Sequence, residues 1–418
     1  MKVNLQVALS DAHVDANQPN SQRQLCLSLS AIADSLDRSI PLNLCLVLDH
    51  SGSMSGRPLA TVKEAAIALI ESLKPSDRLS VVAFDHRAKV IIPHQAVSNG
   101  QSVISSIQKL EASGGTAIDE GLKLGITEAS AGRQDRVSQI FLLTDGENEH
   151  GDNDRCLKLA QVASEYNVTV NTLGFGSHWN QDVLEAIADS ASGSLSYIEQ
   201  PDQAIEIFSQ LFSRMQTVGL TNAYVLLELS PQVRLAELKP VAQVEPETIE
   251  LTPQPEGKGY AIRLGDLMTA QARVILANLY LSQLTAGEQV IGSVQVRYDD
   301  PSQSATNLLS EKIPITVTVQ TTYQPQPNDQ VQKAILSLAK YRQTQIAETK
   351  LKAGDRVGAA TMLQTAAKTA LQLGDQNGAT ILQTNATRLQ SGEELSEAER
   401  KKTRMVSKTT LQAPGESS

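Results

Sequence analysis

Hydrophobic positions change their period three times along the chain, and each change marks a different kind of structure. Between residues 1 and about 40 they alternate with polar ones: Val3, Leu5, Val7 and Leu9 form one set, and Leu25, Leu27 and Leu29 another. A period of two places each set on one face of a half-buried strand. Asn17, Gln18, Pro19 and Asn20 between them predict a turn. From about 41 to 215 continuous apolar runs take over. Residues 42–48 and 140–143 read as strands buried on both faces, and 79–84, 90–92 and 168–173 as further strands. Helical periods occupy 58–73, 103–110, 118–126, 156–166, 183–188 and 204–215. Such alternation predicts a mostly parallel, Rossmann-like sheet with helices on both faces.

From about 217 to 322 short strands return, at 225–229, 274–281, 294–298 and 313–319, punctuated by Pro231, Pro240, Pro246, Pro253 and Pro255. This predicts an antiparallel β-sandwich. Two strands alone are marginal, so residues 1–40 are expected to complete that sandwich, with the α/β unit inserted into it. Pro325 and Pro327 mark a linker. After it the stripes Val331, Ile335, Leu338, then Val357, Ala360, Leu363, Ala367, Leu371, then Ala379, Leu382, Ala386, Leu389 have helical spacing and predict packed helix faces. Gly354, Gly374 and Gly392 fall where helix C-caps belong. The fold class is therefore α/β: a sandwich of 1–40 plus 217–322, an α/β unit of 41–216, a small C-terminal helical region of 328–407 and a flexible tail of 408–418.

Composition narrows the function classes. With 41% hydrophobic and 20% charged residues the chain is ordinary for a globular protein, and 3% aromatic residues leave its cores to aliphatic side chains. A net charge of −10 gives no reason to expect a nucleic-acid partner, which favours a basic stripe. Cys26, Cys45 and Cys156 are far apart and contain no CxxC pair, so they read as reduced, buried thiols in a reducing compartment. The first residues alternate instead of forming a signal run, and no later stretch approaches the roughly 18 apolar residues of a membrane span. A cytoplasmic location is expected.

One constellation carries chemistry. The first buried strand runs into Asp49-His50-Ser51-Gly52-Ser53, the later one into Thr144-Asp145-Gly146, and Ser113-Gly114-Gly115-Thr116 precedes a helix. Ligands of open parallel sheets bind beyond the carboxyl ends of the strands, where all three segments fall. Two carboxylates and three hydroxyls are hard oxygen donors, suited to magnesium, calcium or manganese rather than zinc or copper. With so few formal charges the ion would keep net positive charge and take one more oxygen, such as a partner's carboxylate.

Asp49-x-Ser51-x-Ser53, Thr116 within Gly-Gly-Thr and Asp145 within Thr-Asp-Gly resemble, in order and spacing, the metal-ion-dependent adhesion site of von Willebrand factor type A domains. The resemblance covers about residues 41 to 215. It implies that Ser51 and Ser53 bind the metal directly, that Thr116 does so when a ligand is engaged, and that Asp49 and Asp145 act largely through water. The flanking sandwich is similar in layout to inter-alpha-trypsin-inhibitor heavy chains and related bacterial proteins. The function implied is metal-dependent adaptor binding to an Asp or Glu of a partner protein, which includes an AAA-type ATPase or a signalling complex. The chain itself lacks the GxxxxGK[ST] loop of such an ATPase. The alternative is a metal-assisted hydrolase using the same carboxylates; scattered histidines and the absence of a nucleophile elbow weigh against an enzyme.

Two charged segments remain. The acidic loop 145–154 lacks the EF-hand pattern and reads as a solvated loop that tunes partner charge. Arg400, Lys401, Lys402 and Arg404, followed by Ser407, Thr409 and Thr410, read as a solvated helix end, with a kinase site as the alternative.

Overall fold

The structure is a computed structural model and describes residues 1–32, 40–97 and 100–409. The N-terminal segment forms β1 (Lys2–Leu9), β2 (His13–Asp15) and β3 (Asn20–Ile32). The α/β unit follows as β4 (Leu42–Asp49), α1 (Arg57–Glu71), β5 (Arg78–Phe84), β6 (Ala88–Ala96), α2 (Gly100–Gln108), α3 (Ile118–Ala131), β7 (Val137–Thr144), α4 (Asn153–Glu165), β8 (Thr169–Phe175), α5 (Gln181–Ser190), β9 (Leu195–Ile198) and α6 (Ala204–Gln216). Then come β10 (Val218–Leu229), β11 (Val233–Leu235), β12 (Val241–Glu245), β13 (Ile249–Leu251), β14 (Gln254–Glu256), β15 (Gly259–Met268), β16 (Arg273–Ser282), β17 (Gly287–Asp300), β18 (Ala305–Leu309) and β19 (Ile313–Gln320). Four helices close the described chain: α7 (Asp329–Lys352), α8 (Arg356–Gln372), α9 (Gln376–Gln390) and α10 (Glu397–Lys408).

The α/β sheet has the order β6-β5-β4-β7-β8-β9 and is parallel except for the edge hairpin β5–β6. Every residue of β4 and β7 is buried, because both faces are covered. The period of two sorts their side chains: Leu44, Leu46 and Leu48 pack on the side of α1 and α6, while Cys45 and Val47 pack on the side of α3, α4 and α5. All three cysteines are buried free thiols.

The β-rich parts form two further sheets. One has the order β1-β3-β16-β12-β13, with β11 also on β16; the other has β14-β15-β10-β17-β19-β2, with β18 on β17. β3 is built in from both sides: Leu27 and Leu29 face Val7 and Leu5 of β1 in one direction and Ile275 and Arg273 of β16 in the other. The N-terminal segment thus contributes to both sheets, since the short β2, which alternation does not reveal, pairs parallel to β19. The buried faces of the two sheets and the α1/α6 side of the α/β sheet belong to one apolar cluster.

The helical region packs α7 through Val331, Ala334 and Leu338 against Cys26, Ala242, Val244 and Leu276 on the outer side of the first sheet. Gly354, Gly374 and Gly392 follow α7, α8 and α9 with φ of 80°, 80° and 88°, the left-handed conformation of a helix stop. Two residues of the expected α8 stripe are not core: Val357 and Leu371 are 79% and 53% exposed, because α8 buries a narrower, alanine-rich face. The expected tail boundary at 408 also shifts. Lys408 ends α10 buried between two carboxylates, and Thr409 forms a β-bridge with Glu247; residues 410–418, like 33–39, lie outside the described residues. No helix among the described residues is long and apolar enough to cross a membrane.

Candidate metal centre

β4 and β7 are neighbours, yet the chain leaves β4 toward β5 and comes back on its other side. This reversal opens a crevice beyond the carboxyl ends of β4 and β7. Asp49, the last residue of β4, is fully buried there. One carboxylate oxygen accepts the Ser51 N–H at 2.7 Å, which folds the turn back, and the other accepts the Thr144 hydroxyl at 2.5 Å, which joins the two strand ends. The hydroxyl oxygens of Ser51 and Ser53 are 3.1 Å apart, and Ser53 donates to the Asp145 carboxylate at 2.7 Å.

Thr116 arrives from the other side of the crevice. Its loop is held by Ser113 N–H to His50 C=O at 2.8 Å, Gly52 N–H to Gly114 C=O at 3.0 Å and Ala117 N–H to Asp85 C=O at 2.7 Å. Gly114 has φ of 72°, a left-handed backbone that other residues adopt only with strain, and a Cβ there would fall 2.4 Å from the His86 ring. The Thr116 hydroxyl faces Gly146, where a Cβ would stand 3.0 Å from its Oγ1. All five residues singled out in the sequence are therefore brought to one crevice. Asp49, Ser51, Ser53 and Asp145 form two hydrogen-bonded groups in contact, and Thr116 closes on them across Gly146.

Burial dominates the electrostatics. It pushes the Asp49 carboxyl up to about 6 despite hydrogen bonds from Thr144 and Ser51, and the neighbouring Asp145 charge adds to the rise. Burial raises Asp145 as well, opposed by the Ser53 hydroxyl. Two carboxylates under such pressure to lose their charge, beside three hydroxyl oxygens, are the donor chemistry a hard divalent cation fits. Among the described residues no group of three or more His, Cys, Asp or Glu side chains is placed to hold a metal, so the set is hydroxyl-rich.

The rim differs from the crevice. The His86 and His150 rings meet edge to face at 6.5 Å above the Gly114–Gly115 turn. His50 bonds the Glu111 carbonyl at 2.9 Å instead of facing the crevice. In the acidic loop, Asn148 accepts the Ile118 N–H at 2.7 Å at the start of α3, and Asp152 caps α4 through Arg155 N–H. Glu147 and Glu149 are exposed.

The basic segment near 400 does not behave as a solvated helix end. Lys401 and Lys408 are buried, and α10 lies along α5: Arg404 pairs with Glu185 at 2.6 Å and Asp182 at 2.5 Å, and Lys408 with Asp189 at 2.6 Å and Glu185 at 3.0 Å. Ser407 is fully buried, which opposes its use as a kinase site; Thr410 lies outside the described residues. A signal was present in the sequence. Asp182, Glu185 and Asp189 repeat at i, i+3 and i+7, as do Lys401, Arg404 and Lys408, so each helix carries one charged stripe of complementary sign.

Residues 43–210 match the von Willebrand factor type A domain family, and residues 329–413 match the Sll0103-like C-terminal alpha-helical domain. The uncharacterized protein sll0103 of Synechocystis sp. is 68% identical over 414 residues, 99% of each chain. Human inter-alpha-trypsin inhibitor heavy chain H4 is 30% identical over 186 residues, 40% of this chain and 20% of that one. A von Willebrand factor type A structure from Catenulispora acidiphila superposes with a TM-score of 0.82 at 19% identity, covering 99% of this chain and 98% of that one. The ArnB paralog VWA2 of Sulfolobus acidocaldarius gives 0.61 at 14% identity, covering 98% of each chain. At such identities the two structures share the fold alone. Matched along almost its whole length by sll0103 and carrying both domains, the chain belongs to the Sll0103-like family of von Willebrand factor type A domain proteins.

Proposed function

We propose that this chain is a divalent-cation-dependent adaptor: Asp49, Ser51, Ser53, Thr116 and Asp145 hold Mg2+, or Ca2+ or Mn2+, and the held cation captures an Asp or Glu of a partner protein. Von Willebrand factor type A domains are in general protein-interaction modules, some of them metal-dependent. The observation that carries the reading is the convergence of five hard oxygen donors, only two of them charged, at the topological switch point. When bound, the cation supplies an electron-poor point with charge to spare for an incoming carboxylate. The chain's own residues do the rest. Asp49 ties the ends of β4 and β7 together, the Gly114 turn presents Thr116, and Ser53 orients Asp145.

The same donor set favours binding over turnover, since it brings three hydroxyls and only two carboxylates to the crevice, whereas catalytic divalent-cation sites gather more carboxylates on the ion. The buried thiols and acidic charge fit a cytoplasmic bacterial adaptor, with an AAA-type ATPase or a signalling complex as the partner class. Affinity capture with the full chain from a lysate of Synechocystis sp., the source of the 68%-identical sll0103, tests this. Partners retained in magnesium should be released by chelator and missing from Asp145→Ala. Partners that stay bound in both conditions would overturn the reading.

A further inference from the structure

α10 reaches beyond α5 to the loop between β8 and α5, residues 176–180. There the Lys401 ammonium donates to the backbone carbonyls of Ser177 at 2.5 Å and Trp179 at 2.9 Å and stands 4.2 Å from the centre of the Trp179 ring. Lys401 and Trp179 are both buried, 5% and 2% exposed, although α10 is built mostly of charged and polar residues and Lys401 is a costly residue to enclose. The Trp179 ring lies flat over Gly174 of β8, and its N–H donates to Gly176 C=O at 2.8 Å, so the loop is stapled to the sheet. Gly174, under the Trp179 ring, pairs directly with Thr144 of β7, whose hydroxyl bonds Asp49 and which precedes Asp145, so the clamped loop rests on the strand end that carries the crevice. Burying an ammonium on two carbonyls of one loop is expensive for packing alone, but it fixes that loop's backbone.

We propose that Lys401 is a positioning residue for the metal centre: through the 176–180 loop it couples docking of the C-terminal helical domain to cation binding at Asp49, Ser51, Ser53, Thr116 and Asp145. The inference rests on the metal reading of that crevice. Because coupling is reciprocal, cation binding tightens α10 on the loop, and loss of the clamp weakens cation binding.

The test uses the full chain and Mn2+ alone. Calorimetry on the native chain, Lys401→Met and Lys401→Arg is paired with hydrogen exchange of α10 and with fluorescence of Trp179, the single tryptophan of the chain. Lys401→Met should bind Mn2+ about fivefold more weakly, in line with coupling changes produced by residues that touch neither ligand. Lys401→Arg, which keeps donors and charge for both carbonyls and the ring, should restore affinity. In the native chain Mn2+ should slow exchange across residues 397–408 and change Trp179 emission with the calorimetric midpoint. A merely structural lysine would lower stability and leave Mn2+ affinity and Mn2+-dependent exchange unchanged, and that result overturns the coupling while leaving the metal reading intact. A native chain that binds no Mn2+ overturns both. If Lys401→Met does not fold, exchange in the native chain decides alone.

Discussion

Lys408→Met should loosen the C-terminal helix by an amount that depends on pH. Lys408 is 3% exposed and sits between Glu185, itself 5% exposed, and Asp189. Methionine keeps the apolar stem and removes the ammonium. Removing the ammonium leaves the buried Glu185 to Arg404 alone and costs about 3 kcal/mol, the lower end of the range for breaking a buried ion pair. Asp189 sets the pH dependence. Burial pushes its carboxyl up to about 7 against the attraction of Lys408, with Glu185 adding to the rise. A carboxyl whose folded value lies above its unfolded value of about 4 binds more protons when folded. Its contribution to stability is full below pH 4 and is lost as pH rises through the folded value. In the native chain that loss ends near pH 7. Without Lys408 the carboxyl rises further and remains protonated through pH 8, so the loss continues. Between pH 6 and 8 the variant binds an excess proton over about one pH unit, or about 1.4 kcal/mol. The opening free energy of α10, read by hydrogen exchange, should therefore fall by about 3 kcal/mol at pH 6 and about 4.5 kcal/mol at pH 8. Equal exchange in variant and native protein, or a difference that does not grow with pH, would refute the assignment of α10 to this buried ladder.

Three further outcomes follow from the crevice. Thr116→Ala should weaken Mn2+ binding only slightly while abolishing magnesium-dependent partner capture, whereas Ser53→Ala should lose both; calorimetry and pull-down on the same preparations separate them. Gly146→Ala places a methyl 3.0 Å from the Thr116 hydroxyl and should reduce partner capture like Thr116→Ala, with little change in melting temperature. Because the Asp49 carboxyl lies up near 6, protons and metal compete for it. Mn2+ affinity should be flat above pH 7 and fall toward tenfold per unit below pH 6, as a calorimetric pH series will show.

What the sequence disclosed was whatever is local. Leu42 to Leu48 announces a doubly covered strand because every residue but Asn43 is apolar, and the glycines after α7, α8 and α9 announce helix stops because only glycine takes that φ readily. The five crevice residues were visible because each sits at the end of an element whose type the pattern already gives. Non-local pairing was less visible. β2 is three residues long and is held by a parallel partner more than 300 positions away. α10 reads as solvated because hydrophobic periodicity carries no information about a helix that docks by charge, although Lys401 and Lys408 are buried. Val357 and Leu371 failed in the opposite sense, being apolar at the right spacing on a helix whose alanines already fill the interface.

The central claim is that the crevice holds a divalent cation through these particular side chains, and calorimetric titration of Mg2+ or Mn2+ into the full chain and into Asp49→Ala tests it most directly. One ion should bind per native chain, and binding should vanish in the variant while its circular dichroism stays native, since Asp49 lies at the end of β4. Equal binding by both proteins, or none by the native chain, would contradict the account.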